Sequence, residues 1–585
     1  MLILTEKPSV AKDFAKALGC SYSSTDKNYK SADGKTVITN CVGHLFNLDE
    51  PAAYDPKFKS WKNLPIIPNE FSYSVNPTVK DVQKTVVSLL KKHKNDQILI
   101  ATDADREGEI IARECLNFSG IQNSNNLKRF WVSQALIPSV IRDGISNATP
   151  LKNYDFLASQ GFARQKADWL IGMNATRFVT NKSGTLYPIG RVQTAILSAI
   201  NDRCNEVKNF KKEKFYNYQG TFDVKGVKSG ITGIYSENGK TRFSDTSKLS
   251  YLRSLCGTAA KCIDVKRSQK SINPPLLYNL NDLQKDAFYF YGYSAERTLS
   301  IVQSLYEKHK CISYPRTPSR VMGEDNVQLC HDLFYRFISE CPEYFQLHIL
   351  GVVDGNNRRI FNDSKLEAHH AIIPLDKISS GATSEEENVF YLILERFMLA
   401  FAPVCKLESI AATLDVQRCT FEIKGHHYLE KGWKAFRRVT DRADIGEGED
   451  DQELIDLDWN NLVLTEVEAL EKFTKPPKHY NEASILSFME NPKNEEGKKL
   501  TGLGTPATRH TFIPKLMKSK FIKLEGKNIL ITETGEKLLS VLAKTDFKGL
   551  ADIGETTRWE ERLAENPEAF LDEIKEFVRN GVGGN

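Results

Sequence analysis

Three carboxylates alternate in the segment Thr102-Asp103-Ala104-Asp105-Arg106-Glu107-Gly108-Glu109. An apolar run, Ile98-Leu99-Ile100-Ala101, precedes them, and Gly108–Cys115 carries a helical pattern. The spacing predicts a strand, an acid-bearing loop and a helix. Two aspartates one residue apart can face one hard cation. Oxygen ligands suit Mg²⁺, which is commonly held by one or two carboxylates together with substrate phosphates. A metal held in this way serves phosphoryl transfer. The competing reading is a solvated acidic turn whose charges favour a helix N-terminus. A second strand end also carries chemistry. Leu2-Ile3-Leu4 leads into Glu6-Lys7-Pro8-Ser9, with Ser9 placed to cap a helix running through Leu18. Ligands of open α/β sheets gather beyond the carboxyl ends of the strands. Glu6, Lys7, Asp103 and Asp105 therefore predict one acidic site in an α/β unit.

Four further constellations stand out. In Ile312-Ser313-Tyr314-Pro315-Arg316-Thr317 the proline biases Tyr314 to an extended conformation. Arg316, two residues on, then shares its face. A guanidinium favours the ionised phenol and can clamp a phosphate bidentately, and tyrosine can act as a covalent nucleophile. An ordinary turn tyrosine is the plain alternative. In Glu367-Ala368-His369-His370-Ala371-Ile372-Ile373-Pro374, adjacent histidines point apart and chelate poorly. One of them could donate to a phosphate oxygen, or both could be structural. In Tyr187-Pro188-Ile189-Gly190-Arg191-Val192-Gln193-Thr194, Gly190 admits a close ligand and Arg191 opens a helix whose N-terminus attracts anions. In Gly502-Leu503-Gly504-Thr505-Pro506-Ala507-Thr508-Arg509, Thr505 caps a helix with proline at its first position. A plain helix start accounts equally for each of the last two.

The elements that must position these groups are read more coarsely. A chain of 585 residues is too long for one core. Its 41% hydrophobic and 26% charged residues are ordinary for a globular protein. No apolar run is long enough for a transmembrane helix, and the N-terminus lacks the features of a secretory signal. The 11 cysteines form no C-x-x-C pair, which argues against a zinc ribbon and fits reduced thiols in the cytoplasm. A net charge of +4 hides basic patches at 91–94, 208–214 and 475–478. Helices are expected over 154–206, 281–310, 325–350, 385–402 and from Asn481 onward. Short strands split by glycines are expected over 215–270, further strands over 408–431, and an acidic loop over 441–458. Two strand-rich blocks flanking a helical block suggest one β domain interrupted by an insertion.

Together these segments, in this order, resemble a type IA DNA topoisomerase of the topoisomerase III branch. The resemblance spans essentially the whole chain and includes Arg164 to Gly172. It implies a multidomain α/β plus α+β fold: a Rossmann-like Toprim domain, helical domains and a β arch closing a toroidal core. The implied domains are Toprim (1–150), the helical DNA-binding domain (151–215 and 471–585), the arch (216–280 and 405–470) and the domain bearing the tyrosine (281–404). The implied nucleophile is Tyr314, which forms a 5′-phosphotyrosine without ATP. Glu6 would serve as proton donor to the leaving oxygen and as a metal-site acid with Asp103, Asp105 and Glu107. Lys7 and Arg316 would balance phosphate charge. His369 would contact the neighbouring phosphate, and Arg164, Arg191 and Gln193 would line a DNA groove. The implied cofactor is Mg²⁺. The implied partners are single-stranded and underwound DNA, with no membrane association, a monomeric enzyme and a helicase partner left open. Two departures stand out. The zinc ribbons of many relatives have no counterpart, and the acidic 441–458 insert would repel DNA, which favours relaxation over decatenation. The rivals are a Toprim-type nuclease, a primase-like nucleotidyl transferase and a non-catalytic DNA scaffold.

Overall fold

The computed structural model describes all residues except 122–124, 133–135, 225–226, 341–350, 367–368, 436–451, 455–456, 494–496 and 584–585. The Glu367-Ala368 pair and most of the expected acidic loop therefore lie outside the described residues.

The N-terminal unit is a seven-stranded sheet. Its order is Ser21–Ser23, Asn28–Lys30, Val37–Asn40, Leu2–Thr5, Ile98–Ala101, Leu127–Arg129, Thr149–Pro150. The four central strands are parallel. Every residue of Leu2–Thr5 and Ile98–Ala101 is buried, as expected of parallel strands covered on both faces. Alternation divides them between two cores, with Leu2, Leu4 and Ile100 on one face and Ile3 and Leu99 on the other. The expected strand ends are thus neighbours. Ser9 does not cap the first helix, Pro8–Leu18. Lys7 holds the cap position, Pro8 is the first helical residue, and the Ser9 hydroxyl donates to Glu307 at 3.3 Å.

A helical unit follows. The helix Asp155–Ser183 is buried around much of its circumference. On one side it meets the acid-loop helix Arg106–Phe118, where a Cβ on Gly161 would lie 2.4 Å from Ile110 Cγ2. Arg191–Asn209 and the C-terminal elements complete its core through Leu170, Ile196, Leu486, Trp559 and Phe570. The C-terminal region is not wholly helical, because Ile522–Glu525 and Asn528–Ile531 form a hairpin. The final helix, Pro567–Gly583, buries Phe570, Ile574 and Val578 in the same core.

The arch is a largely antiparallel sheet. Its path is Lys261–Ile272, Cys405–Val416, Cys419–Glu430, Val227–Ser236, Lys214–Val224, Leu462–Phe473. These strands are long, where the glycine spacing predicts short ones. Gly220 and Gly233 sit inside continuous strands: a Cβ on Gly220 would meet Leu464 and Phe421 at 2.9 Å, and one on Gly233 would meet Ile423 at 2.9 Å. Here glycine marks close packing rather than a strand end. A fifth core, including Leu283, Val302, Phe334 and Phe397, contains Tyr314. Among the described residues no helix is long and apolar enough to cross a membrane.

Candidate active site

Parallel pairing of Leu2–Thr5 with Ile98–Ala101 brings the two acid-bearing strand ends together. Glu6 accepts the Asp103 backbone N–H at 3.1 Å. Asp105 caps the acid-loop helix, its Oδ1 accepting the Gly108 N–H at 2.8 Å. Gly108 is required there, because an added Cβ would lie 2.2 Å from the Asp103 carbonyl oxygen. Lys7 Nζ donates to Asp103 at 3.0 Å and to Glu307 at 3.1 Å.

Tyr314 reaches this cluster from the other side. Its hydroxyl donates to Asp103 at 3.4 Å and Asp105 at 3.3 Å. Arg316 shares its face, with Nη1 3.9 Å from Asp103. With the Gln303 amide oxygen facing the guanidinium, it accepts from Arg316 Nε at 3.2 Å. The His369 ring lies 4.3 Å from the Tyr314 ring, and its Nε2 donates to the Ala104 carbonyl at 2.6 Å. His370 points elsewhere, its Nδ1 donating to the Ala371 carbonyl at 2.8 Å.

The electrostatics follow from burial. Burial, then Asp103 and Asp105, pushes the Glu6 carboxyl up to about 8. Burial first, with Asp103 next, also raises Asp105. The Tyr314 phenol is not ionised by its arginine neighbour. Burial and the carboxylates of Asp103 and Asp105 raise it well above its ordinary value, and Arg316 offsets only part of this. Burial lowers His369 to about 4, so its ring is neutral near pH 7.

Glu107 turns away from the two aspartates. It faces Arg164 Nη1 at 3.3 Å and His44 Nε2 at 3.3 Å. Burial alone would lower His44, yet hydrogen bonds to Glu107 and Glu114 outweigh it and raise His44 to about 10. Beyond Glu107 an open groove is lined by Arg164, Asp168, Arg191, Gln193, Thr505, Lys515 and Glu560. It unites the Gly190-Arg191 and Gly502–Arg509 segments with the third acid. Arg191 is buried against Asp168 at 3.2 Å and Glu560 at 2.5 Å, so its charge is largely committed to protein carboxylates. Arg164 is less enclosed, with 17% of its side chain exposed.

Sequence reasoning missed the residue that holds the acid loop. Arg129 is fully buried. Its Nη1 donates to the Thr102 carbonyl at 2.8 Å, its Nη2 to the Asp103 carbonyl at 2.7 Å and its Nε to Glu109 at 2.9 Å. His44 and Glu560 were missed as well. None of the three belongs to a local pattern.

Among the described residues no three His, Cys, Asp or Glu side chains converge as a ready metal cage. The donor set of Glu6, Asp103 and Asp105 is nonetheless all oxygen. Burial first, and then the charges of Asp103 and Asp105, raise Glu6 to about 8, and a hard cation suits three carboxylates gathered in this way.

A model of the DNA topoisomerase family matches residues 152–568, and a model of the Toprim domain matches residues 1–135. The chain belongs to the type IA DNA topoisomerase family. The topoisomerase is 35% identical to DNA topoisomerase 3 of Bacillus licheniformis over 609 residues, covering 99% of this chain and 81% of the relative. It is 33% identical to DNA topoisomerase 3 of Bacillus subtilis, covering 96% and 78%. Full-length topoisomerase I of Thermotoga maritima matches in fold with a TM-score of 0.75 at 21% identity, over 100% of this chain and 90% of that one. The topoisomerase is an enzyme acting on DNA, and the nuclease and primase-like alternatives are not favoured. Its Toprim domain belongs to a class that is typically metal-dependent.

Proposed function

We propose that Tyr314 is the nucleophile of an ATP-independent reaction that opens one DNA strand, passes another through the gap and reseals it. The observation that carries this reading is the Tyr314 hydroxyl facing Asp103 and Asp105 across the contact between two separately cored units. A bond forms between the phenolic oxygen and a backbone phosphorus, and the bond from phosphorus to the 3′-oxygen breaks. Glu6, whose carboxyl is raised to about 8 by burial and by the neighbouring aspartates before a cation binds, gives its proton to the leaving oxygen. The phenolic proton is released toward the carboxylates it faces. Lys7 and Arg316 offset charge developing on the phosphate. The neutral His369 ring packs on Tyr314 and orients it. Attack by the 3′-hydroxyl reverses each step.

Glu6, Asp103 and Asp105 are the residues that would hold Mg²⁺, which supplies charge neutralisation at the phosphate. Glu107, paired with Arg164, sits where it joins that site to the groove. Arg164 and Gln193 would contact the single strand, while buried Arg191 supports the groove wall. Five hydrophobic cores, two of them on the faces of the N-terminal sheet, support domains at 1–150, at 151–215 with 471–585, at 216–280 with 405–470, and at 281–404. One chain supplies both sides of the site, in keeping with a cytoplasmic monomer that relaxes underwound DNA.

The test uses negatively supercoiled plasmid with Mg²⁺ and no ATP. Wild type yields a ladder of relaxed topoisomers and, after denaturation, protein on 5′ ends. Tyr314→Phe loses both. Nicked DNA with free ends that survives the substitution would indicate a nuclease instead.

A further inference from the structure

The proposed reaction leaves the three basic stretches of the sequence unused, among them 208–214 and 475–478. Distant in sequence, these two meet in the structure, because Lys214 lies opposite Phe473 in the ladder between Lys214–Val224 and Leu462–Phe473. At this point the chain passes twice between the helical unit and the arch. An open groove surrounds the crossing, lined by Lys212, Phe215, Arg242 and Phe473. Through Phe215 and Arg242 it continues onto the sheet face beside Asn217 and Gln219.

Lys212, Arg242 and Phe473 are exposed, Phe473 by 38%. The Lys212 ammonium lies 3.9 Å from the Phe473 ring centroid, and the Arg242 guanidinium lies 4.6 Å from that of Phe215. Acids along the groove are matched already. Glu471 faces Lys214 at 3.5 Å and accepts from Tyr216 at 3.1 Å, and Glu422 lies 4.0 Å from Lys424. Among the described residues no carboxylate pairs with Lys212 or Arg242.

We infer that this groove is a second binding site for single-stranded DNA, separate from the groove that leads to Tyr314. Cations beside one exposed and one half-buried ring suit a ligand that offers phosphates and flat apolar faces together. A duplex stacks its base faces away and leaves the rings unused. The choice of nucleic acid rests on the topoisomerase assignment, while the site rests on the geometry. A strand seated there lies where the chain crosses between the helical unit and the arch.

The test compares full-length protein with Lys212→Glu/Arg242→Glu and with Phe473→Ala. Covalent cleavage of a short oligonucleotide reports the catalytic groove and the integrity of the fold. Fluorescence anisotropy with oligo(dT) of about 40 nucleotides, long enough for two sites, reports the second. The double charge reversal is expected to weaken long-strand binding by about tenfold or more and to lower the slope of log affinity against log salt by about 1.4. Short-strand cleavage stays unchanged. Phe473→Ala is expected to weaken long-strand binding while keeping the slope, and Lys212→Arg/Arg242→Lys to behave as the parent. Parental affinity and slope in the charge reversal overturn the proposal. So does an equal loss for short and long strands, which assigns the effect to the catalytic groove.

Discussion

Arg129 and Glu6 show how single residues set this site. The Arg129 guanidinium spends its donors on the carbonyls of Thr102 and Asp103 and on buried Glu109. Removing one partner of a buried ion pair leaves an uncompensated charge. Arg129→Met should lower unfolding free energy by about 3–5 kcal/mol, read as a fall in the urea midpoint with an unchanged slope. Glu6 gives a pH signature. Its folded value of about 8 exceeds the ordinary value of 4.5, so the folded state holds the proton more tightly. Its contribution to stability is full below pH 4.5 and is lost as pH rises to about 8. With divalent cations chelated, thermal melting should show that decline, and Glu6→Gln should flatten it. A decline unaltered by the substitution would place the titration elsewhere. Much of this site was legible in the sequence. Glu6, Asp103, Asp105, Tyr314 and Arg316 lie in short motifs at strand ends or in an extended segment, where spacing constrains direction. Arg129, His44 and Glu560 were not, because each reaches the site from an element distant in sequence and only three-dimensional packing pairs it. The ionised phenol expected from Arg316 was wrong for a related reason: burial and two carboxylates outweigh one guanidinium.

At the scale of elements, the helix Pro8–Leu18 meets the end of Ala295–Glu307 and the residues after it. Asp13 pairs with Lys310 at 2.5 Å, and Glu307 takes Lys7 and Ser9. Burial nevertheless raises the Asp13 carboxyl, outweighing its bond to Lys310. Such partly exposed pairs contribute roughly 0–1 kcal/mol, weak enough for the two units to part at this contact if the proposed strand passage requires it. Lys310→Ala should raise the open population by about two- to fivefold, measured by fluorescence energy transfer between the N-terminal unit and the tyrosine-bearing unit. An unchanged distribution would mean that the pair does not hold the contact. Element reading from sequence succeeded at Ile98–Ala101, a short apolar run ending in polar residues, and at Asp155–Ser183, a long stretch free of proline. It failed at the 522–531 hairpin, which is embedded in a helical run. It failed too at Gly220 and Gly233, where tight packing in the sheet imitates a strand break.

At the scale of the whole molecule, the N-terminal unit is one continuous segment, whereas the helical unit and the arch are each assembled from separated stretches. One apolar flank of the helix Asp155–Ser183 finds its cover when Pro567–Gly583 arrives. This imposes an order on biosynthesis. On a ribosome adding about 5–20 residues per second, the apolar flank of the early helix waits roughly 20–80 s for its partner. A chain stopped before Asn481 should therefore bind an apolar dye and be retained by holdase chaperones, while the 1–150 segment alone should melt cooperatively. A cooperative, dye-free melt of the longer truncation would show that the early helix is covered from within. The wall of the groove beside Glu107 waits as well, because buried Arg191 receives its Glu560 partner from the same late region.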